Sequence, residues 1–211
     1  MKTADWLHSE PWYEQDAYIV GGGSSLKDFD WSLLEKLNTI GCNDAYKLGQ
    51  KVCKICMFGD LSWWRHHCEK MEIYKGIVVT NVGAIDGEYP PWVNQFDRLS
   101  HGLCKLDENR LGWNGNTGAA ALNLALVLGA KNIYLLGFDM GIIDKETNWH
   151  NEIIHPKAVL PSSYEIFRYR WSDVVKDLHI FPNRNVFNVN NTSILAGTTT
   201  INVEEFWKGK T

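Results

Sequence analysis

The amino-acid sequence predicts an α/β protein built on a doubly wound, mostly parallel sheet, and three observations predict it. Short apolar runs of strand length alternate with helix-length segments along the chain, the order that buries a parallel sheet between helical layers. The first run, Ala17-Tyr-Ile-Val20, opens directly into the turn Gly21-Gly22-Gly23-Ser24-Ser25. Later, Asn116-Thr117-Gly118 starts a helix of small residues that stops at Gly129, and a buried strand follows it to Gly137 and Asp139. Open α/β sheets bind their ligands at the carboxyl ends of strands, where such turns lie. Together these features describe a Rossmann-like architecture.

Each element follows from its pattern. Residues 1–15 form a polar lead-in with two tryptophans. Asp30 to Leu37 has the spacing of an amphipathic helix after the first strand. Thr39-Ile-Gly-Cys42 and Lys54-Ile-Cys-Met-Phe58 are the second and third strands, and a helix rich in Trp, His and charge runs from about Ser62 to Met71. Gly76-Ile-Val-Val-Thr80 is the fourth strand. From 82 to 115, Gly83, Gly87, Pro90-Pro91 and Gly112 break any periodicity, which predicts an irregular insertion or lid. The small-residue helix spans about Thr117 to Leu128 and the next strand Ile133 to Leu136. A polar loop bearing histidines reaches about Pro161. A helix from Ser163 to Leu178, a strand from Asn185 to Val189 and a short terminal helix complete the order. A chain of 211 residues without an internal repeat is expected to form one domain over 1–211.

Composition narrows the function. Hydrophobic residues at 45% and charged residues at 22% suit an ordinary globular protein with a sizeable core. A net charge of −4 and a pI near 6.0 argue against a general nucleic-acid binder, which carries a basic stripe. Ten tryptophans are the anomaly. Trp63, Trp64, Trp92, Trp113 and Trp149 either pack lids and rims or offer a stacking surface for a base or sugar. The five cysteines are odd in number, with no apolar leader before them and no bilayer-length run, so a reduced, cytoplasmic protein is expected. Cys53-Lys-Ile-Cys56 lies inside a strand run, which favours core thiols over zinc or redox work.

Short polar residues recur at successive strand ends: the glycine-serine turn, Asn43-Asp44, Asp60, Asn81, Gly137 to Asp139, and Asn190-Asn191. Each is ordinary turn chemistry alone; together they predict a hydrogen-bonding rim around one cleft. The glycine turn can present amides to a phosphate, although it matches neither GxGxxG nor a Walker loop. Asn116 or Thr117 is either a simple N-cap or the edge of a helix terminus that favours an anion. His150 and His155, with Glu152 between, are candidates for acid/base work; their spacing does not match a helical zinc site, and no metal is expected there.

The blocks Gly-x-Gly-x-Ser-Leu after the first strand, Asn43 after the second, and Leu-Gly-Ala-Lys-Asn-Ile-Tyr-Leu-Leu-Gly-Phe-Asp resemble bacterial sialyltransferases that use CMP-sialic acid. They are also similar to the related MptE-like group. The loop Trp149-His150-Asn-Glu152-Ile-Ile-His155-Pro156 resembles a Trp-His-x-Asp/Glu-x-x-His-Pro loop of bacteriophage proteins. The resemblance implies that Gly21, Gly22, Gly23, Ser24, Ser25 and Asn43 hold a nucleotide donor, with Asn116, Thr117 and Gly118 beside it. Asp44, Asp60 and Asp139 belong to the same rim. It further implies a histidine base, His155 first and His150 second.

The function so implied is a metal-independent glycosyltransferase that moves a sugar from a nucleotide donor to a hydroxyl, with no tightly bound cofactor and no membrane partner. A hydroxymethylated DNA base of a phage is one acceptor, in which case the protein works in the host cytoplasm. Two alternatives stay open. One is Mg²⁺-dependent pyrophosphoryl transfer of the MptE type, with Asp60 and Asp139 holding the ion. The other is a non-catalytic protein that sequesters a nucleotide.

Overall fold

The order of elements is that of a parallel sheet crossed by helices, and the computed structural model describes it for residues 12–83, 89–105, 109–142, 148–150 and 161–208. The strands are β1 (Asp16–Val20), β2 (Thr39–Cys42), β3 (Ile55–Phe58), β4 (Ile77–Thr80), β5 (Val93–Gln95), β6 (Asp97–Leu99), β7 (Arg110–Gly112), β8 (Asn132–Leu136), β9 (Asn185–Val189) and β10 (Thr199–Ile201). The helices are α1 (Leu61–Met71), α2 (Thr117–Val127), α3 (Pro161–Asp177) and α4 (Val203–Lys208).

Eight strands form one sheet in the order β10-β9-β8-β1-β2-β3-β4-β5, and every pairing in it is parallel. From β1 the chain steps outward through β2, β3, β4 and β5. It then returns to lay β8 on the other side of β1, in register from Asp16 with Asn132 to Val20 with Leu136. The strand order therefore reverses between β1 and β8, and that switch point opens a crevice at the carboxyl ends of the two strands.

Both faces of the central sheet are covered, so β1 to β4 and β8 are near-continuous apolar runs. On one face Ile19, Ile40, Ile55 and Met57 pack with the alanines of α2 and with Trp171 and Val174 of α3. On the other, Tyr18, Val20, Tyr134 and Leu136 meet Leu34 and Phe206. Further along, Phe58 and Val78 meet Trp63 and Met71 of α1. Ala119, Ala120 and Ala121 are fully buried; small side chains let α2 lie against the sheet on one side and β7 on the other.

Two sequence expectations change, and one element is new. Residues 30–37 do not form an amphipathic helix: Trp31–Leu34 is one 3-10 turn. The Asp30 side chain accepts from Ser32 N at 3.0 Å, and Lys36 takes a left-handed φ of 67°, so helical geometry ends as soon as Leu34 is buried. The irregular span 82–115 supplies β5, which extends the sheet, and the separate parallel pair β6–β7. The stretch after Asn43 forms a 3-10 turn, Asn43–Leu48, that the strand pattern does not announce. Among the described residues, no helix is long and apolar enough to cross a membrane. Trp6, Glu152 and His155 lie outside the described residues.

Candidate active site

The glycine turn after β1 is built by the neighbouring strand. Gly21 donates to Leu136 O at 2.8 Å and Gly23 to Gly137 O at 2.9 Å, which carries the β1–β8 ladder into the turn. A Cβ on Gly23 would lie 2.5 Å from both the Asp139 carboxylate and Gly137 O, whereas one on Gly22 would meet nothing within 4 Å. Asp139 accepts from Ser25 N at 2.9 Å, Ser25 Oγ at 2.5 Å and Asn190 Nδ2 at 2.6 Å. Its carboxylate thus knots the ends of β1, β8 and β9 together.

The end of β2 carries a second cluster. Asn43 has a left-handed φ of 51°, which Asn tolerates better than most residues, and its Oδ1 is buried without a hydrogen-bond partner. Asp44 lies 3.0 Å from Lys47 Nζ and 3.3 Å from His67 Nε2 through Oδ1, and 3.7 Å from His150 Nε2 through Oδ2. His67, from α1, is fully buried, stacks on Trp63 at 4.5 Å and has Nδ1 2.9 Å from Tyr46 Oη. Burial pulls the His67 pKa below the ordinary imidazole value; the Asp44 charge opposes this in part.

Two tryptophans set the walls. A Cβ on Gly59 would sit 1.9 Å from the Trp113 ring, so only glycine lets the β3 end approach that ring. Arg98 of β6 lies over the Trp113 ring, 4.0 Å from its centroid. It donates to Gly59 O at 2.6 Å and Asn81 O at 3.0 Å, tying the ends of β3 and β4 to Trp113. Trp149 donates from its backbone to Gly22 O at 3.1 Å and from Nε1 to Gly21 O at 2.9 Å. Its ring rests on Trp31 at 5.0 Å, and this pins His150 beside the glycine turn.

These pieces enclose a cavity of ≈ 450 Å³ at the switch point. It brings together Gly21, Gly22, Gly23, Asn43, Asp44, Asp60, Asn116, Thr117, Gly118, Asp139 and His150. Ser24 and Ser25, expected at the donor, do not line it, because Ser25 turns back to Asp139. Asn116 is an N-cap after all, accepting from Gly118 N at 2.7 Å, and the start of α2 faces the cavity as well. Asp139 is not a spare metal ligand beside Asp60: its oxygens are engaged by Ser25 and Asn190. Among the described residues, no group of three or more His, Cys, Asp or Glu side chains could hold a metal ion. The four most buried thiols, Cys42, Cys53, Cys56 and Cys104, are core residues; burial pushes Cys53 up to about 11.

Of the tryptophans read as rim packing or a stacking surface, Trp63 and Trp113 line the cavity, and sequence reasoning missed Tyr164 and Phe167. Tyr164 enters from the first turn of α3, and burial, then the Asp139 charge, raise its pKa. Only its place just after the histidine loop hints at this. The Arg98 clamp has no signal in a single sequence.

No protein-family model matches the chain, and no curated protein matches it. Among solved structures, the sialyltransferase CstII from Campylobacter jejuni in complex with cytidine-5'-monophosphate aligns with a TM-score of 0.50 at 16% identity, over 90% of this chain and 85% of that chain. The chain has a sialyltransferase-like fold. A second CstII structure, in complex with CMP-3FNeuAc, aligns at a TM-score of 0.46 and 17% identity, over 88% of this chain and 84% of that chain.

Proposed function

We propose that the protein is a glycosyltransferase-like enzyme that moves a sugar from a nucleotide donor to a hydroxyl acceptor. The observation that carries this reading is the switch-point cleft, where the Gly21–Gly23 turn, Asn43 and the start of α2 share one cavity with His150. Backbone amides and a helix N-terminus stabilise a leaving phosphate by fixed dipoles. Asn43 and Trp63, each with a buried side-chain polar atom that has no hydrogen-bond partner, line the same cavity. The fold shared with CstII, whose structure holds CMP, supports a cytidine nucleotide as the first donor to test.

In the reaction, the acceptor oxygen bonds to the anomeric carbon while the bond from that carbon to the donor phosphate oxygen breaks. The electron pair leaves with the phosphate, and the hydroxyl proton passes to a histidine of the loop, His155 or His150. Tyr164 adds a phenol to the same lining, a group able to hydrogen-bond the leaving phosphate. The acceptor class we propose to test first is a hydroxymethylated DNA base of a phage.

The test is a thermal-shift screen of nucleotides and sugar nucleotides, with and without Mg²⁺, on wild type, His155→Ala and His150→Ala, followed by a transfer assay. A sugar nucleotide that stabilises all three proteins without metal, and whose consumption by wild type is lost on removal of one of the two histidines, supports the reading. Stabilisation by ATP only with Mg²⁺ would replace it with pyrophosphoryl transfer. Tight binding without turnover on any acceptor would leave a sequestering protein, and no shift at all would remove the nucleotide pocket.

A further inference from the structure

The wall behind His150 holds a chain of polar groups that donor binding does not require. Asp44 is only 4% exposed, and its oxygens are divided between two directions. Oδ1 meets Lys47 and His67, and Oδ2 faces His150 Nε2 at 3.7 Å. Behind His67, the Tyr46 phenol meets Nδ1 at 2.9 Å. A phenol donating to Nδ1 places the proton of the neutral ring on Nε2, which lies 3.3 Å from Asp44 Oδ1 without forming a hydrogen bond. Oδ1 thus lies within ion-pair distance of the Lys47 ammonium and the His67 ring, without a hydrogen bond to either, and Oδ2 is presented to the cleft histidine.

We propose, resting on the transfer reaction above, that Asp44 is the positioning residue that holds His150 as proton acceptor, rather than a ligand of the donor. With Nε2–H turned to Asp44 Oδ2, Nδ1 of His150 is the nitrogen that takes the acceptor proton. This occurs as the new carbon–oxygen bond forms and the phosphate leaves with the electron pair of the old one. The imidazolium so formed faces a carboxylate. The spacing of 3.7 Å is that of an ion pair, so the contact strengthens as His150 gains its charge, which favours the transition state over the ground state. The clamp of Trp149 on Gly21 and Gly22 keeps the ring in place. Other charged or titratable groups reach this cluster: Lys47 on the same turn, His66 and Lys70 on α1, and Asp60, Asp139 and Tyr164 around the cleft.

The deciding experiment is an NMR titration of the histidine rings in the full chain, for wild type and Asp44→Asn, without substrate. Pairing predicts that neutral His150 in wild type carries its proton on Nε2. Its titration midpoint should fall by about one pH unit in Asp44→Asn, the scale of an opposite charge within 4–6 Å. A proton on Nδ1, or an unchanged midpoint, overturns the proposal. Should Asp44→Asn fail to fold, the wild-type tautomer decides alone. In the transfer assay, kcat should fall by roughly 10²-fold, as for loss of acid/base assistance, with the dissociation constant of CMP unchanged. A loss of CMP affinity matching the loss of rate would return Asp44 to the donor site and overturn the proposal. If no sugar is transferred, the transferase reading falls, while the titration still decides the pairing.

Discussion

Gly22 and Gly23 are neighbours in one turn, yet they bear opposite burdens. A methyl group on Gly23 enters space held by the Asp139 carboxylate and Gly137 O, while one on Gly22 points into open space. Gly23→Ala should therefore destabilise the protein by about 2 kcal/mol, as overpacking against atoms that cannot move does. Gly22→Ala should stay within about 0.5 kcal/mol of wild type. Urea unfolding of both variants checks this, and equal midpoints would show that the turn relaxes. If Gly22 backs a bound phosphate, its methyl will cost nucleotide affinity instead, which separates the folding role of the turn from its binding role. The sequence shows three equivalent glycines, and only the return of β8 beside β1 tells them apart.

Helix α2 shows what a single element contributes. Its alanines read correctly as a close-packed helix, but Asn123 in its middle has a part that periodicity does not reveal. Oδ1 accepts from Cys104 N at 2.9 Å and Gly112 N at 2.8 Å, and Nδ2 donates to Cys104 O at 2.7 Å. One buried amide thereby fastens Cys104 to the last residue of β7, next to Trp113 of the cleft. Asn123→Ala removes these three buried hydrogen bonds at once and should cost about 3 kcal/mol. Hydrogen exchange should show the Cys104 and Gly112 amides losing protection first; unchanged protection would mean that water or a rearranged loop replaces the side chain. The failure at residues 30–37 has the same origin at this scale. An apolar spacing of 3 and 4 marks the residues to be buried, and the 3-10 turn at Trp31–Leu34 buries Leu34 just as well.

At the scale of the whole molecule, global stability should carry the mark of His67. The folded state holds its pKa below the ordinary value, and unfolding returns it to ~6.5. Between those two values the unfolded chain binds more protons, so stability rises with pH through that window and is complete above it. Acidification should weaken wild type more than His67→Gln, which has no proton to gain. Urea unfolding at about pH 7.5 and about pH 5.5 measures the two slopes, and equal slopes would show that the ring is not held neutral.

The alternation of apolar runs with helical segments, the glycine turn and the small-residue helix determined the sheet, its direction and the end at which a cleft opens. These are local patterns, because a parallel strand must be apolar on both faces and must end in a turn. Tertiary structure decided the partners of the polar side chains: Asp139 with Ser25 and Asn190, Arg98 over the Trp113 ring, and Asp44 between His67 and His150. Those contacts join residues far apart in the chain. Which polar groups become neighbours follows from the order of the strands, β8 beside β1 and β3 beside β2, and no spacing along the sequence encodes that order.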